Sequence, residues 1–187
     1  NYEMLLVNDG SADDSWQVIT ALSRGNQNIV GINLMKNSGQ HNALLCGIRH
    51  AKYPYTVTID DDLQFFPEDI PLLLNKIDEG GDVVYGVPND QKHGIWRTPA
   101  SKLIKVAIQV LLGNEIARHI SPFRVFKTKI RDVFKESNND FSLIDVLLSW
   151  GTSKFDWVSV RHAPREIGKS NYDFPKLVLI AFNLITG

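Results

Sequence analysis

The 187 residues carry 43% hydrophobic and 22% charged side chains, enough apolar material for one folded domain of ordinary size and too much for a disordered chain. The formal net charge of −1, with no long basic run to offset it, excludes a general nucleic-acid binder. Cys46 is the only cysteine, so no intrachain disulfide can form, and no apolar run approaches the roughly 20 residues that a membrane-spanning helix needs.

In chain order, residues 4–7 read as a strand and 15–23 as a helix, with Asp13 or Asp14 at its start. Residues 29–34 form the next expected strand and 40–50 the next helix. A strand over 55–59 is followed by a helix over 67–78, with Pro67 in its first turn. Gly80-Gly81 ends that helix, and 82–85 reads as a strand. Strands alternating with helices predict an α/β fold in which helices flank a mainly parallel central sheet. Residues 88–99 are polar and aperiodic, which predicts a mobile loop that closes over bound substrates. Residues 102–112 read as a helix with Lys102, Lys105 and Gln109 on one narrow face. A short strand over 123–126, a helix over 142–150 and an edge strand over 155–160 complete the pattern. Arg161, His162, Arg165 and Lys169 follow, and then an apolar helix from Phe174 onward. That helix suits a membrane surface, the domain core or a contact between copies in a homo-oligomer. The chain opens two residues before a strand and stops inside an apolar helical pattern, so both ends read as trimmed.

The densest chemistry lies in Asp60-Asp61-Asp62-Leu63-Gln64, directly after an apolar strand. Adjacent carboxylates repel, and a hard divalent cation such as Mg²⁺ or Mn²⁺ relieves that repulsion through oxygen ligands. Strand alternation would put Asp60 and Asp62 on one face and Asp61 on the other. A solvated acidic turn leading into the next helix is the plainer reading. Asn8-Asp9-Gly10-Ser11 ends another strand, and ligands of parallel α/β sheets bind beyond such carboxyl ends, so two polar clusters at one sheet edge point to a site. Other motifs fail. The run from Asp9 has Asp14 where a calcium loop needs glycine and Thr20 where it needs glutamate. There is no dinucleotide or phosphate-loop glycine pattern, no G-x-S-x-G and no H-E-x-x-H.

Taken as an ordered set, Val7-Asn8-Asp9-Gly10-Ser11, Asn37-Ser38-Gly39-Gln40-His41-Asn42-Ala43, Asp60-Asp61-Asp62-Leu63-Gln64-Phe65-Phe66-Pro67-Glu68 and Gly81-Asp82-Val83-Val84-Tyr85-Gly86 resemble the family 2 glycosyltransferases of GT-A fold. Within that family the chain is most similar to the polyprenyl-phosphate branch. Trp96-Arg97 with Ser101, Ser121-Pro122-Phe123-Arg124 and Arg165-Glu166-Ile167-Gly168-Lys169-Ser170 resemble its acceptor-side segments. The resemblance leads us to expect one catalytic domain over residues 1–187, without the family's opening strand and helix and without a C-terminal membrane segment in this stretch.

The resemblance implies a nucleotide-diphosphate sugar as donor and Mg²⁺ or Mn²⁺ held by Asp60, Asp62 and Gln64. Asp9 and Ser11 would hold base and ribose. Lys36, Asn37 and Gly39 would line the same edge with Asp60 and Asp61. The implied acceptor is an undecaprenyl or dolichyl phosphate, met by Arg97, Ser101, Arg124, Arg165, Lys169 and Ser170 at the cytoplasmic face of the membrane. A phosphate monoester, with a second pKa near ~6, is already mostly dianionic at neutral pH and needs cations rather than a base. Asp62, Arg124 and Arg165 are accordingly the expected catalytic residues. Asp145 is the one plausible general base, and otherwise a residue of a helix surface. Two alternatives remain: a soluble member of the family that extends a glycan on a sugar hydroxyl, and a non-catalytic nucleotide-sugar binder.

Overall fold

The computed structural model describes residues 1–89, 114–133 and 144–164. Of the loop expected over 88–99 only Pro88, which ends a strand, and Asn89 are described; its remainder, the helices expected over 102–112 and from Phe174, and Arg97, Ser101, Arg165, Lys169 and Ser170 lie outside the described residues. Six strands are described: β1 (Met4–Asn8), β2 (Ile29–Asn33), β3 (Tyr55–Thr58), β4 (Val83–Pro88), β5 (Arg124–Lys127) and β6 (Phe155–Val160). The helices are α1 (Ser15–Gly25), α2 (Gln40–His50), α3 (Ile70–Asp78), α4 (Asn114–His119) and α5 (Ile144–Gly151).

The helix expected over 67–78 divides in two. Pro67–Asp69 forms a 3₁₀ turn, closed by the Asp69 amide on the Phe66 carbonyl at 3.0 Å, and α3 starts at Ile70. Pro71 is the cause. It has no N–H to give back to residue 67, and its ring crowds that carbonyl, so an α-helix cannot run back through this turn.

β1 and β2 pair in parallel, with Asn8 opposite Asn33. The other four strands lie in the order β3-β5-β4-β6. β4 and β6 are parallel, and β3 runs the same way because both β3 and β4 are antiparallel to β5. The sheet is therefore mostly parallel with one reversed strand in the middle. That reversal matters for the site. It puts the first residue of β5, Arg124, opposite both Thr58 at the end of β3 and Tyr85 in β4.

Alternation along β4 and β5 loads both faces of this sheet. Val83, Tyr85, Val87 and Phe126 join Leu45 and Ile48 of α2 and Ile144, Leu147 and Leu148 of α5. Val84, Val125 and Phe123 join Leu73 and Ile77 of α3, with Phe65 and Val160. A strand covered on both sides reads as a continuous apolar run, which is how β4 reads. Among the described residues no helix is long and apolar enough to cross a membrane.

Candidate active site

The site begins where β1 ends. Asn8 is buried and donates from Nδ2 to Asn33 Oδ1 at 2.7 Å, while its own Oδ1 accepts the Ser11 amide at 3.3 Å. Asp9 closes a clamp on the loop after β2. Its Oδ1 accepts the Ser38 amide at 2.7 Å and its Oδ2 the Gly39 amide at 2.8 Å. Gly10 makes the close approach possible. Its φ is +65°, and a Cβ there would stand 2.6 Å from Asn37 N and 2.8 Å from the Lys36 carbonyl carbon. Ser11, Lys36, Asn37 and Gly39 are all exposed along this lip.

The clamp leads straight to the acidic turn. Gln40, the residue after Gly39, donates from Nε2 to Asp60 Oδ1 at 2.9 Å. β3 stops at Thr58, so Asp60 and Asp62 sit in a turn and not on a strand. Strand alternation is thus not what brings them together, contrary to expectation. The turn leaves the Asp62 charge close enough to act on Asp60, and Leu63, directly after Asp62, lies in the left-handed region at φ 60°. Burial, and next the charge of Asp62, hold the Asp60 carboxyl above its ordinary range. Asp62 is half-buried, accepts the Gln64 amide on Oδ1 at 3.2 Å, and has Asp61 exposed beside it. Gln64 donates from Nε2 to the Ala163 carbonyl at 3.3 Å.

Beneath the turn lies a buried ionic floor. Arg124 is 4% exposed and pairs through Nη1 with Asp145 Oδ1, and its Nε donates to Thr58 Oγ1 at 3.2 Å. Tyr85 donates its hydroxyl to the same Asp145 oxygen at 2.8 Å. Burial and the Asp145 charge push the Tyr85 phenol well above its ordinary value. Arg124 also lowers the Asp60 carboxyl through space. One expectation is corrected here: Asp145 is buried and not a residue of the helix surface. Its Oδ1 accepts both Arg124 and Tyr85, and Arg124, expected to meet an acceptor phosphate, is buried with Nη1 on Asp145 and Nε on Thr58. His41, in the first turn of α2, lies close enough to feel both charges, and burial holds its imidazole below the usual range.

Asp9 on Ser38 and Gly39, and Gln40 on Asp60, therefore link the loops after β1, β2 and β3, which carry Asp9, Ser11, Lys36, Asn37, Gly39, Asp60, Asp61, Asp62 and Gln64, and the Arg124 charge reaches Asp60. Gln40, Tyr85, Asp69 and Arg161 had no assigned role in the sequence. Of these only Gln40 had a local signal, its place directly after the Asn37-Ser38-Gly39 run. Among the described residues no group of three or more His, Cys, Asp or Glu side chains is placed to hold a metal ion. Asp60 and Asp62 still suit a hard cation, since two half-buried carboxylates repel each other there. The protein alone supplies a partial shell, which substrate oxygens would have to complete.

The chain matches the profile of Glycosyl transferase family 2 over residues 1–134. It is 35% identical over 186 residues to a protein of Klebsiella pneumoniae (strain 342) named undecaprenyl-phosphate 4-deoxy-4-formamido-L-arabinose transferase, covering 99% of this chain and 57% of that protein. A protein of the same name from Enterobacter sp. (strain 638) is 36% identical over 187 residues, covering 100% of this chain and 57% of the relative. The chain thus spans a little over half the length of these curated relatives. Among solved structures, mannosyl-3-phosphoglycerate synthase from Rubrobacter xylanophilus superposes with a TM-score of 0.65 at 15% identity, over 98% of this chain and 61% of that one. Glucosyl-3-phosphoglycerate synthase from Mycobacterium tuberculosis, in complex with Mn²⁺ and UDP-glucose, gives a TM-score of 0.62 at 17% identity, over 97% of this chain and 64% of that one. These neighbours establish a GT-A-like fold. With the profile covering most of its length and the curated relatives all of it, the chain belongs to glycosyl transferase family 2.

Proposed function

We propose that this domain moves a sugar from a nucleotide-diphosphate sugar to a polyprenyl phosphate at the cytoplasmic face of a membrane, with inversion at the anomeric carbon. The observation that carries the reading is the Asp60–Asp62 pair beside the Asp9 clamp, in a chain whose curated relatives are named as undecaprenyl-phosphate sugar transferases. Asp9 fixes the loop that lines the donor, and the exposed edge of Ser11, Lys36, Asn37 and Gly39 receives base, ribose and phosphates. Asp60 and Asp62, with Gln64 beside them, would hold Mg²⁺ or Mn²⁺. The cation supplies charge neutralisation for the departing diphosphate. Arg124 supports the same edge from below as a fixed buried charge that Asp145 keeps in place.

In the transfer, a phosphate oxygen of the acceptor forms the new bond to the anomeric carbon. The bond to the donor diphosphate breaks, and its electron pair leaves with that diphosphate. No proton has to be removed from a dianionic phosphate. The burial of Asp145 and its bonds to Arg124 and Tyr85 support this reading over transfer to a sugar hydroxyl, which needs a base. With Arg124 committed elsewhere, Arg97, Arg165 and Lys169 are the cations assigned to the acceptor phosphate, with Ser101 and Ser170 beside them.

The test is a donor panel led by nucleotide-diphosphate forms of 4-deoxy-4-formamido-L-arabinose, the sugar in the relatives' names. The full-length protein would be assayed with Mn²⁺ or Mg²⁺ and a short polyprenyl phosphate. Sugar transfer that EDTA abolishes and that Asp62→Asn lowers by about 10²–10³-fold is the expected result. Transfer to a free sugar hydroxyl alone, or undiminished activity in EDTA, would refute it.

A further inference from the structure

Among the described residues Leu63 is the only non-glycine with positive φ, at 60°, and it stands between Asp62 and Gln64 with its side chain 71% exposed. An L-residue with a Cβ is disfavoured in that region and stays there only where its surroundings force it. Leu63 packs too little of its own surface to supply that force, so it must come from the residues around it.

The contacts form an unbroken path from a remote carboxylate to Asp62. The Gln64 amide donates to Asp62 Oδ1 at 3.2 Å. The Gln64 carbonyl accepts the Ala163 amide at 2.9 Å, and the Gln64 side chain returns a bond to the Ala163 carbonyl at 3.3 Å. The next pair, Phe65 and His162, forms an antiparallel bridge, with ring centroids 4.9 Å apart. Arg161 then grips Asp69. Its backbone amide donates to Asp69 Oδ2 at 2.9 Å, Nε to Oδ1 at 2.9 Å and to Oδ2 at 3.2 Å, and Nη2 to Oδ1 at 2.7 Å. Its guanidinium also lies over the Phe66 ring, 4.9 Å from the centroid.

Asp69 gives up an ordinary role to do this. It occupies the N-cap position of α3, where an aspartate usually accepts an amide of its own helix, yet it makes no such bond. Its carboxylate is buried and wholly engaged by one residue, 92 positions away in sequence.

We propose that Asp69 and Arg161 are positioning residues for the cation site. They hold the strip of residues 161–163 across the turn, so that Gln64, and through it Asp62, keep the backbone geometry that Leu63 would otherwise abandon. The inference rests on the assignment of Asp60 and Asp62 to a divalent ion. It adds that the site's affinity is set by a contact that touches neither the ion nor the donor. Groups bonded directly to a metal's ligands typically change its affinity by about 10–100-fold when lost, and the Asp69–Arg161 contact lies further out, so the low end of that range is expected.

The experiment measures Mn²⁺ binding in the presence of uridine diphosphate, by electron paramagnetic resonance of free Mn²⁺. The proteins are the wild type, Arg161→Gln and Asp69→Asn, with Lys127→Met as a control that breaks the distant Lys127–Asp82 ion pair. Arg161 is largely exposed, so Arg161→Gln keeps a folded protein available if Asp69→Asn does not fold. The expected result is about tenfold weaker Mn²⁺ binding in both clamp variants and unchanged binding in the control. Faster hydrogen exchange at the Gln64 and Ala163 amides of Arg161→Gln, measured without metal, is expected alongside. Wild-type protein that holds no Mn²⁺ overturns the metal assignment and the inference together. A wild type that binds, with clamp variants within twofold of it or with unchanged amide exchange, overturns the inference alone.

Discussion

Replacing Asp145 by asparagine tests the buried floor directly. Asp145 accepts Arg124 and the Tyr85 hydroxyl on one oxygen, and the Arg124 and Asp145 side chains are only 4% and 8% exposed. Asparagine keeps the shape and removes the charge. Arg124 then stays buried as a cation with Thr58 Oγ1 and a neutral amide oxygen for company. Breaking a buried pair from one side costs about 3–5 kcal/mol, a large part of the roughly 5–15 kcal/mol that stabilises a typical domain. For a domain of about 150–250 residues each kcal/mol moves Tm by about 2–4 °C, so the expected fall is about 6–20 °C. The double variant Arg124→Met, Asp145→Leu should cost much less than the sum of the single changes, since it leaves no orphaned charge. Urea and thermal unfolding of the three variants measure this. A loss below about 1 kcal/mol, the range of an exposed pair, or a strictly additive double variant would refute the buried-floor argument. If Asp145 were instead a free base, activity would collapse in Asp145→Asn with little change in Tm.

Three further outcomes follow from the same contacts. Asp60→Asn should raise the Tm of the ligand-free protein at neutral pH, because it removes a carboxylate that burial and Asp62 disfavour, while it lowers turnover by about 10²-fold or more; a lower Tm would contradict this. Gly10→Ala, placing a Cβ against the 36–37 backbone at positive φ, should cost at least about 1–2 kcal/mol and weaken donor binding in calorimetric titration, with unchanged donor affinity as the contrary result. Lys127, then Thr152, hold the Asp82 carboxyl below its ordinary value of 3.8, so that its contribution to stability is present above that value and is lost as pH falls through its depressed folded value. Asp82→Asn should accordingly flatten the acid limb of the stability–pH curve, and urea midpoints that fall as steeply as in wild type would exclude the effect.

Local sequence carried the alternation of strands and helices and the two polar clusters at strand ends. Each depends on neighbours a few positions apart, where periodicity and turn chemistry act. Asp60 and Asp62 were legible as neighbours, although they lie in a turn after β3 and not on the strand whose alternation was to pair them. The function of charged residues was less legible. Arg124 and Asp145 each looked free in sequence, as acceptor cation and base. Only the reversed strand β5, which sets Arg124 against Thr58 and Tyr85, shows that the two are buried as a pair. Asp9 likewise proved to be a clamp on Ser38 and Gly39, and Asp69 to be the holder of Arg161, across separations of about 30 and of 92 residues. Residue type states what a side chain can bond to. Which partner it meets is decided by strand order and packing, because the contacts between distant segments form only once the sheet has placed them side by side.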